Sequence, residues 1–312
     1  MKTTTFLSKY KNASIYLVIF MVLFSCEKKS PEAEVITPKA SQKDTVSAKK
    51  VNKKPKLIVN YKLDSLSNKA AIDSFQNSYT DNQKKLIFAL NRMDSKRLRI
   101  GSPVVIPDTL DLDLIKYSPF PEKLSILDSL PKTLLISQRV QGFALYERGK
   151  LVKWGPVSSG KKSTPTPNGL HYANYKAKKK VSTVNDSWLL PYYFNFMNFE
   201  GVGVHQYSLP GYPASHACVR LYMEDAQYIY DWATQWELSG HAITKNGTPF
   251  MVFGEYDYKN PYPWRQLATN ADSNNISEEE IETLKSYVAK YNEDPNNKVE
   301  DLIEEDELSL IQ

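Results

Sequence analysis

The sequence predicts a mainly β protein whose largest domain is a β-sandwich with one or two helices. Between residues 133 and 258 the apolar residues fall in short runs typical of strands, at 133–137, 142–146, 150–154 and 248–253. A single helical pattern, at 223–236, interrupts them. The 20 Tyr and 12 Phe also suit sheets better than helical bundles. Strands with one clear helix favour a sandwich with helical decoration.

The first residues have the pattern of a secretory signal. Lys2, Lys9 and Lys11 precede a ten-residue apolar run at 15–24, which is too short for a comfortable membrane span. The run ends in Leu-Phe-Ser-Cys at 23–26, which resembles a bacterial lipobox. We therefore expect residues 1–26 to be a lipoprotein signal peptide, with Cys26 as the lipidated first residue of the mature chain. The alternative is an ordinary cleaved signal with an incidental Cys.

Two segments of different character follow the signal. Residues 27–56 are rich in Lys, Ser, Pro and Ala, and hold too few large apolar residues to fold, which predicts a disordered tether. Residues 57–115 have helical apolar spacing followed by a turn and a short β run. The stretch from Ala89-Leu90-Asn91-Arg92 to Val105-Ile106-Pro107 resembles the second half of a LysM module, a binder of peptidoglycan glycan. The alternative is a small α/β unit without a ligand.

Composition narrows the class of protein. Apolar residues are 41% and charged residues 24% of the 312, which excludes a wholly disordered chain, collagen and a polytopic membrane protein. Two Cys exclude a disulfide scaffold. The net charge of +5 comes partly from the tether, and no basic cluster follows a fold element, so nucleic-acid binding is not expected. Residues 259–312 form an acidic tail, in which a capping box at Ser277 predicts one amphipathic helix.

The chemistry concentrates in residues 204–221, which read VHQYSLPGYPASHACVRL. A thiol is a strong nucleophile only as thiolate, and a nearby imidazolium lowers the pKa of the thiol. The Gly/Pro-rich stretch can fold the chain back and bring His205 to Cys218. Two alternatives stay open on these residues alone: a Cys that is simply a small buried apolar residue, or a zinc site from His205, His216 and Cys218.

Three blocks resemble the L,D-transpeptidases, the family with a YkuD-type catalytic domain. The first is SSGKKSTPTPNG at 158–169, the second runs from His205 to SHACVRL at 215–221, and the third is GTPFMV at 247–252. They occur in the order of the family, which places the catalytic domain at 130–258. Two positions depart from its pattern: Ala217 stands where Gly is usual, and Gln206 where a Gly often follows the base. If position 217 needs a positive φ, its Cβ costs on the order of 1 kcal/mol.

The resemblance implies a peptidoglycan L,D-transpeptidase. Cys218 would take the acyl group of a stem tetrapeptide at diaminopimelate and pass it to an amine, with His205 as the general base. Ser215, His216 and Ala217 would shape the oxyanion region, and Arg220 would face a substrate carboxylate or brace the turn. No metal or organic cofactor is implied. The same thiol would also serve an L,D-carboxypeptidase or a peptidoglycan amidase.

The expected partners are peptidoglycan stem peptides, glycan through the LysM-like unit, and a membrane through the lipid anchor. The expected location is the cell envelope facing the periplasm, with the outer membrane as the anchoring membrane. A non-catalytic wall-binding lipoprotein with an eroded site is the alternative from another class of function.

Overall fold

The computed structural model describes residues 59–297, all of which fall within one compact unit. The signal peptide, Cys26, the tether and the last fifteen residues lie outside the described residues, so the expectations about them stay predictions. No helix between residues 59 and 297 is long and apolar enough to cross a membrane.

The regular elements follow the predicted pattern of many short strands and few helices. The strands of the described part are β1 (Tyr61–Ser65), β2 (Pro103–Pro107), β3 (Lys132–Ser137), β4 (Gly142–Glu147), β5 (Lys150–Pro156), β6 (Gly169–Tyr172), β7 (Lys176–Val181), β8 (Leu189–Met197), β9 (Val202–Gln206), β10 (Val219–Leu221), β11 (Glu237–Ser239), β12 (Ala242–Lys245) and β13 (Pro249–Phe253). The helices are α1 (Lys69–Ser78), α2 (Asp81–Leu90), α3 (Met223–Trp232) and α4 (Glu278–Glu293).

The N-terminal part is a small α/β unit, as predicted. Its strands β1 and β2 pair antiparallel, and helices α1 and α2 lie between them in the sequence. Both helices begin at side-chain caps: Asn68 accepts the amide of Ala71, and Thr80 forms a capping box with Gln83. Its identity as a LysM module stays a prediction.

Two sheets form the β-sandwich. A five-stranded sheet has the order β5-β4-β3-β13-β6, and a four-stranded sheet has the order β10-β9-β8-β7. Side chains alternate along β3, so Leu134 and Ile136 pack into the core between the sheets, where Phe194 and Val204 of the other sheet lie. Leu135 packs into the second core, on the opposite face. The expected sandwich is confirmed.

The second core includes helix α4. Leu284, Tyr287 and Val288 of α4 pack with Leu135 and Met251 of the five-stranded sheet. The predicted capping box is present, since the side chain of Ser277 accepts the amide of Glu280. The amphipathic helix expected in the acidic tail is therefore part of the folded unit.

Candidate active site

The six residues predicted to form the site lie around one open cleft beside the four-stranded sheet. One side of the cleft is the connection between β9 and β10, residues 207–218, which we call the nucleophile loop. The opposite side is the turn between β7 and β8, residues 182–188, which we call the wall loop. The predicted residues that line the cleft are His205, Ser215, His216, Ala217, Cys218 and Arg220.

Two neighbouring parallel strands set the positions of Cys218 and His205. Strands β9 and β10 pair with Arg220 opposite His205 and Val219 opposite Val204. Extending this register by one residue sets Cys218 level with Gly203. Because Gly203 and His205 are two residues apart on a strand, they face the same side of the sheet. The fold thus brings a thiol and an imidazole, thirteen residues apart in the chain, to one edge of the cleft.

His205 is held as a neutral base. Its side chain is 3% exposed, and its Nδ1 lies 2.9 Å from the carbonyl oxygen of Gln206. A carbonyl only accepts, so Nδ1 carries the proton and Nε2 keeps a lone pair that can take another. Burial, aided by the charge of Arg220, lowers the pKa of His205 from 6.5 to about 4. The imidazole is therefore unprotonated over the neutral range.

Cys218 rests as a thiol. Its Sγ donates to the carbonyl oxygen of Gly201 at 3.7 Å. Burial raises the pKa of the thiol above its ordinary value, although the amide of Gly203 and the charge of Arg220 act in the opposite direction. The buried imidazole of His205 is neutral in this resting site, so it does not act as the imidazolium partner that would lower the pKa of the thiol.

Ala217 adopts the left-handed backbone that a Gly would favour, with φ at +67°. A side chain in that region costs on the order of 1 kcal/mol. The first of the three sequence blocks, residues 158–169, which we call the Thr-Pro block, stabilises the strained residue. The amide of Ala217 donates to the carbonyl of Thr164 at 3.1 Å, and the hydroxyl of Thr166 donates to the carbonyl of Ala217 at 2.7 Å. Among residues 59–297, the amides of His216 and Cys218 have no acceptor, so both remain available for a ligand.

Ser215 joins the nucleophile loop to the same block. Ser215 is 4% exposed. Its amide donates to the carbonyl of Ser159 at 3.0 Å, and its carbonyl accepts from the amide of Lys161 at 2.9 Å. The first and second sequence blocks of the resemblance are thus in direct contact.

His216 is fixed from two sides. The ammonium of Lys161 lies 3.1 Å from Nε2, and because an ammonium only donates, the proton of the ring is on Nδ1. Burial lowers the pKa of His216, and the charges of Lys161 and Arg220 lower it further. The ring of Trp188 in the wall loop packs on it, at 5.3 Å between centroids. No acceptor for Nδ1 lies within the described part of the chain.

Arg220 contacts the nucleophile loop. Its Nη2 donates to the carbonyl of Ala214 at 2.9 Å, and Nη1 to that of Ser208 at 3.4 Å. The guanidinium lies over the ring of Tyr207 at 4.8 Å. Of the two roles expected for Arg220, these contacts favour bracing the turn.

Sequence reasoning missed three participants. The carbonyl of Gly201 accepts both the Cys218 thiol and the hydroxyl of Tyr193, the latter at 2.8 Å. Trp188 packs across the cleft. Neither Gly201 nor Trp188 is part of a motif: Gly201 lies in the turn between β8 and β9, and Trp188 lies in the wall loop. His171 does not line the cleft, and its Nε2 contacts the carbonyl of Pro167 at 3.2 Å.

No three His, Cys, Asp or Glu side chains within residues 59–297 are grouped so as to hold a metal ion. The zinc alternative for His205, His216 and Cys218 therefore has no geometric support.

The fold and the site define a β-sandwich domain with a thiol and a neutral imidazole at adjoining strands, an arrangement suited to acyl transfer. Residues 131–278 match the family model of the YkuD L,D-transpeptidase catalytic domain. The chain therefore carries an L,D-transpeptidase catalytic domain over those residues.

Solved structures of L,D-transpeptidases are also similar to this chain. One from Stackebrandtia nassauensis has 25% identity and a TM-score of 0.34, covering 41% of this chain and 58% of its own. One from Mycobacterium smegmatis has 20% identity and a TM-score of 0.32, covering 40% and 59%. L,D-transpeptidase 1 of Mycobacterium tuberculosis has 24% identity and a TM-score of 0.30, covering 39% and 63%. The chain thus spans less than two thirds of each of these proteins. No curated protein sequence matches it.

Proposed function

We propose that this protein is a peptidoglycan L,D-transpeptidase that uses Cys218 as nucleophile and His205 as general base. The observation that carries the proposal is the shared cleft: the thiol, an imidazole whose Nδ1 contacts a carbonyl, and two amides that have no acceptor among residues 59–297 line it, in a domain that matches this family. The proposed substrate is a stem tetrapeptide, attacked at the carbonyl of diaminopimelate.

The proposed reaction has two acyl transfers. In the first, Nε2 of His205 takes the thiol proton, a bond forms between Sγ and the acyl carbon, and the bond from that carbon to the terminal residue's nitrogen breaks. The imidazolium returns its proton to the leaving amine. In the second, His205 takes a proton from the acceptor amine, the new amide bond forms, and the thiol leaves with that proton.

The charge that develops on the acyl oxygen needs donors in the cleft. We assign this role to the amides of His216 and Cys218, whose direction is fixed by the left-handed Ala217 between them. Ser215 and Arg220 support the loop. Removing one such donor typically lowers kcat 10²- to 10³-fold, which corresponds to about 2.7–4 kcal/mol. This free energy is larger than the strain at Ala217, on the order of 1 kcal/mol.

We also propose that lipidated Cys26 anchors the protein in the envelope, most naturally in the outer membrane facing the periplasm. The tether at 27–56 would give the enzyme reach, and the α/β unit would bind glycan. Two or more acyl chains give stable anchoring, so Cys26→Ala should no longer fractionate with membranes. Unchanged membrane fractionation would refute the lipid anchor.

Product analysis on purified stem peptides tests the function. A transpeptidase with a donor and an amine acceptor yields the joined peptide, and Cys218→Ala yields none. Hydrolysis products alone would indicate the carboxypeptidase or amidase alternative. A folded parent protein that yields no product and no thiol adduct would indicate the non-catalytic wall-binding alternative.

A further inference from the structure

The nucleophile loop joins two parallel strands without a helix. Such crossovers usually contain one, because the chain must return the full length of the strand. Residues 207–218 make this return as irregular structure. An irregular loop of this length keeps one conformation only through contacts with the rest of the protein. The residues that make those contacts therefore determine how well the position of the Cys218 thiol is fixed.

Part of the support comes from the α/β unit, through residues 93–97, which we call the clamp segment. The amide of Asp94 donates to the carbonyl of Leu209 at 2.9 Å, and a carboxylate oxygen of Asp94 accepts the amide of Leu209 at 2.8 Å. Met93 forms a β-bridge with Pro210. Leu209 is completely buried, so its two backbone groups depend on Asp94 for their hydrogen bonds.

The clamp segment makes two further contacts, one with the start of the nucleophile loop and one with the residue that follows β10. The guanidinium of Arg97 donates to the hydroxyl of Ser208 at 3.0 and 3.2 Å. The hydroxyl of Tyr222, directly after β10, donates to the carbonyl of Met93 at 2.6 Å. The Arg97 and Asp94 bonds reach the first turn of the nucleophile loop, and the Tyr222 bond holds the clamp segment against the residue that follows β10.

That first turn lies next to the catalytic base. Leu209 is three residues after Gln206, whose carbonyl fixes the tautomer and direction of His205. A shift at Leu209 would therefore displace the neighbouring carbonyl that orients His205. Asp94 does not line the cleft.

We propose that Asp94 is a positioning residue, which acts through Leu209 to hold the nucleophile loop and the base in their reactive arrangement. The inference rests on the proposed function and extends it: the α/β unit is part of the catalytic scaffold, in addition to any binding role. Loss of the Asp94 carboxylate leaves the buried amide of Leu209 without an acceptor, and the loop must move to satisfy it.

The test compares Asp94→Ala, Asp94→Asn and Lys85→Gln in the full chain. Lys85 also bridges the α/β unit and the sandwich, through an exposed ion pair with Glu224 at 3.1 Å, but it does not reach the loop.

Stem-peptide turnover is measured per active site, and the active sites are counted by intact mass after titration with a carbapenem. We expect Asp94→Ala to lower kcat roughly 10- to 100-fold with KM within about twofold, as a lost bond to a charged acceptor allows. Asp94→Asn retains an acceptor and should stay within about threefold, and Lys85→Gln within about twofold.

An Asp94→Ala protein that folds and keeps the parent kcat would overturn the proposal, as would a loss that Asn does not restore. If Asp94→Ala does not fold, Arg97→Ala decides instead: a fall of about threefold in kcat supports the clamp, and an unchanged kcat refutes it.

A parent that shows neither turnover nor adduct refutes the proposed function instead. Even then the rate at which iodoacetamide alkylates Cys218 reports on the loop. It should be at least about threefold faster in Asp94→Ala, where the half-buried thiol is exposed more often. Equal rates would refute the clamp.

Discussion

The two sides of the cleft are held in different ways. The nucleophile loop bonds to the clamp segment, to the Thr-Pro block and to Arg220. The wall loop makes only internal hydrogen bonds among the described residues, such as the amide of Trp188 to the carbonyl of Asn185 at 3.0 Å. Its apolar Val184 is 63% exposed, although it lines the cleft.

This difference separates two tasks. Acyl transfer needs the nucleophile, the base and the oxyanion donors fixed to within a fraction of an ångström, since misplacement lowers the rate. A wall that borders the substrate needs apolar surface and some freedom to adapt. We therefore expect substitutions on the nucleophile side to change kcat, and substitutions in the wall loop to change mainly KM.

The largest effect should come from the base. His205→Ala should lower kcat roughly 10²- to 10⁴-fold, the usual contribution of a positioned general base. His171→Ala is the matched control, because His171 lies on β6 away from the cleft, and its kcat should stay within about twofold. Steady-state turnover of stem peptide gives both values. Equal kcat values for His205→Ala and the parent would contradict the claim that residues on the nucleophile side determine kcat.

Burial of the base should also appear in stability. The pKa of His205 is about 4 in the folded protein and 6.5 when unfolded, so between these pH values the unfolded chain binds a proton that the folded chain does not. The stability is fully present above pH 6.5 and falls as the pH drops towards 4, by about 3 kcal/mol. Urea unfolding at several pH values should show this loss in the parent.

The loss should be smaller by about this amount in His205→Gln, where the lowered pKa values of His171 and His216 remain, and unaltered in His241→Gln, whose residue lies exposed in the turn between β11 and β12. If His205→Gln loses as much stability as the parent over this range, the base is not buried as described.

The smallest effect should come from the wall loop. Trp188→Ala removes the ring that packs on His216 and should raise KM about 2- to 10-fold, as an aromatic contact of 0.5–1.5 kcal/mol allows. Its kcat should stay within about twofold, and Trp188→Phe, which keeps a ring, should resemble the parent. If Trp188→Ala lowers kcat and leaves KM nearly unchanged, the wall loop helps to position the reacting groups, and the proposed difference between the two sides of the cleft is wrong.

Local patterns were enough to predict the fold class. The hairpin at Arg148 and Gly149, for example, has positive φ at both residues, as a two-residue turn between strands requires. The helix predicted at 223–236 ends at Trp232, because Ala233 is extended. The packing of α4 on the outer face of the sheet could not be predicted, since helical spacing marks an apolar face without saying what covers it.

The site was only partly predictable. The resemblance to the family proposed Cys218 and His205 as site residues, and position 217 has the positive φ that its departure from Gly raised as a question. The protonation of the pair could not be derived from the sequence, because burial depends on the whole fold. The link from Asp94 to Leu209 spans 115 residues, a distance at which a single sequence carries no pairing signal.

Intact-mass measurement after exposure to a carbapenem, with peptide mapping of the product, tests the central claim most directly. The account predicts that the parent gains one carbapenem on Cys218, and that Cys218→Ala and Cys218→Ser, both checked for folding, gain none. An adduct that persists in these variants, or that maps to another residue of the parent, would contradict the assignment of Cys218 as nucleophile.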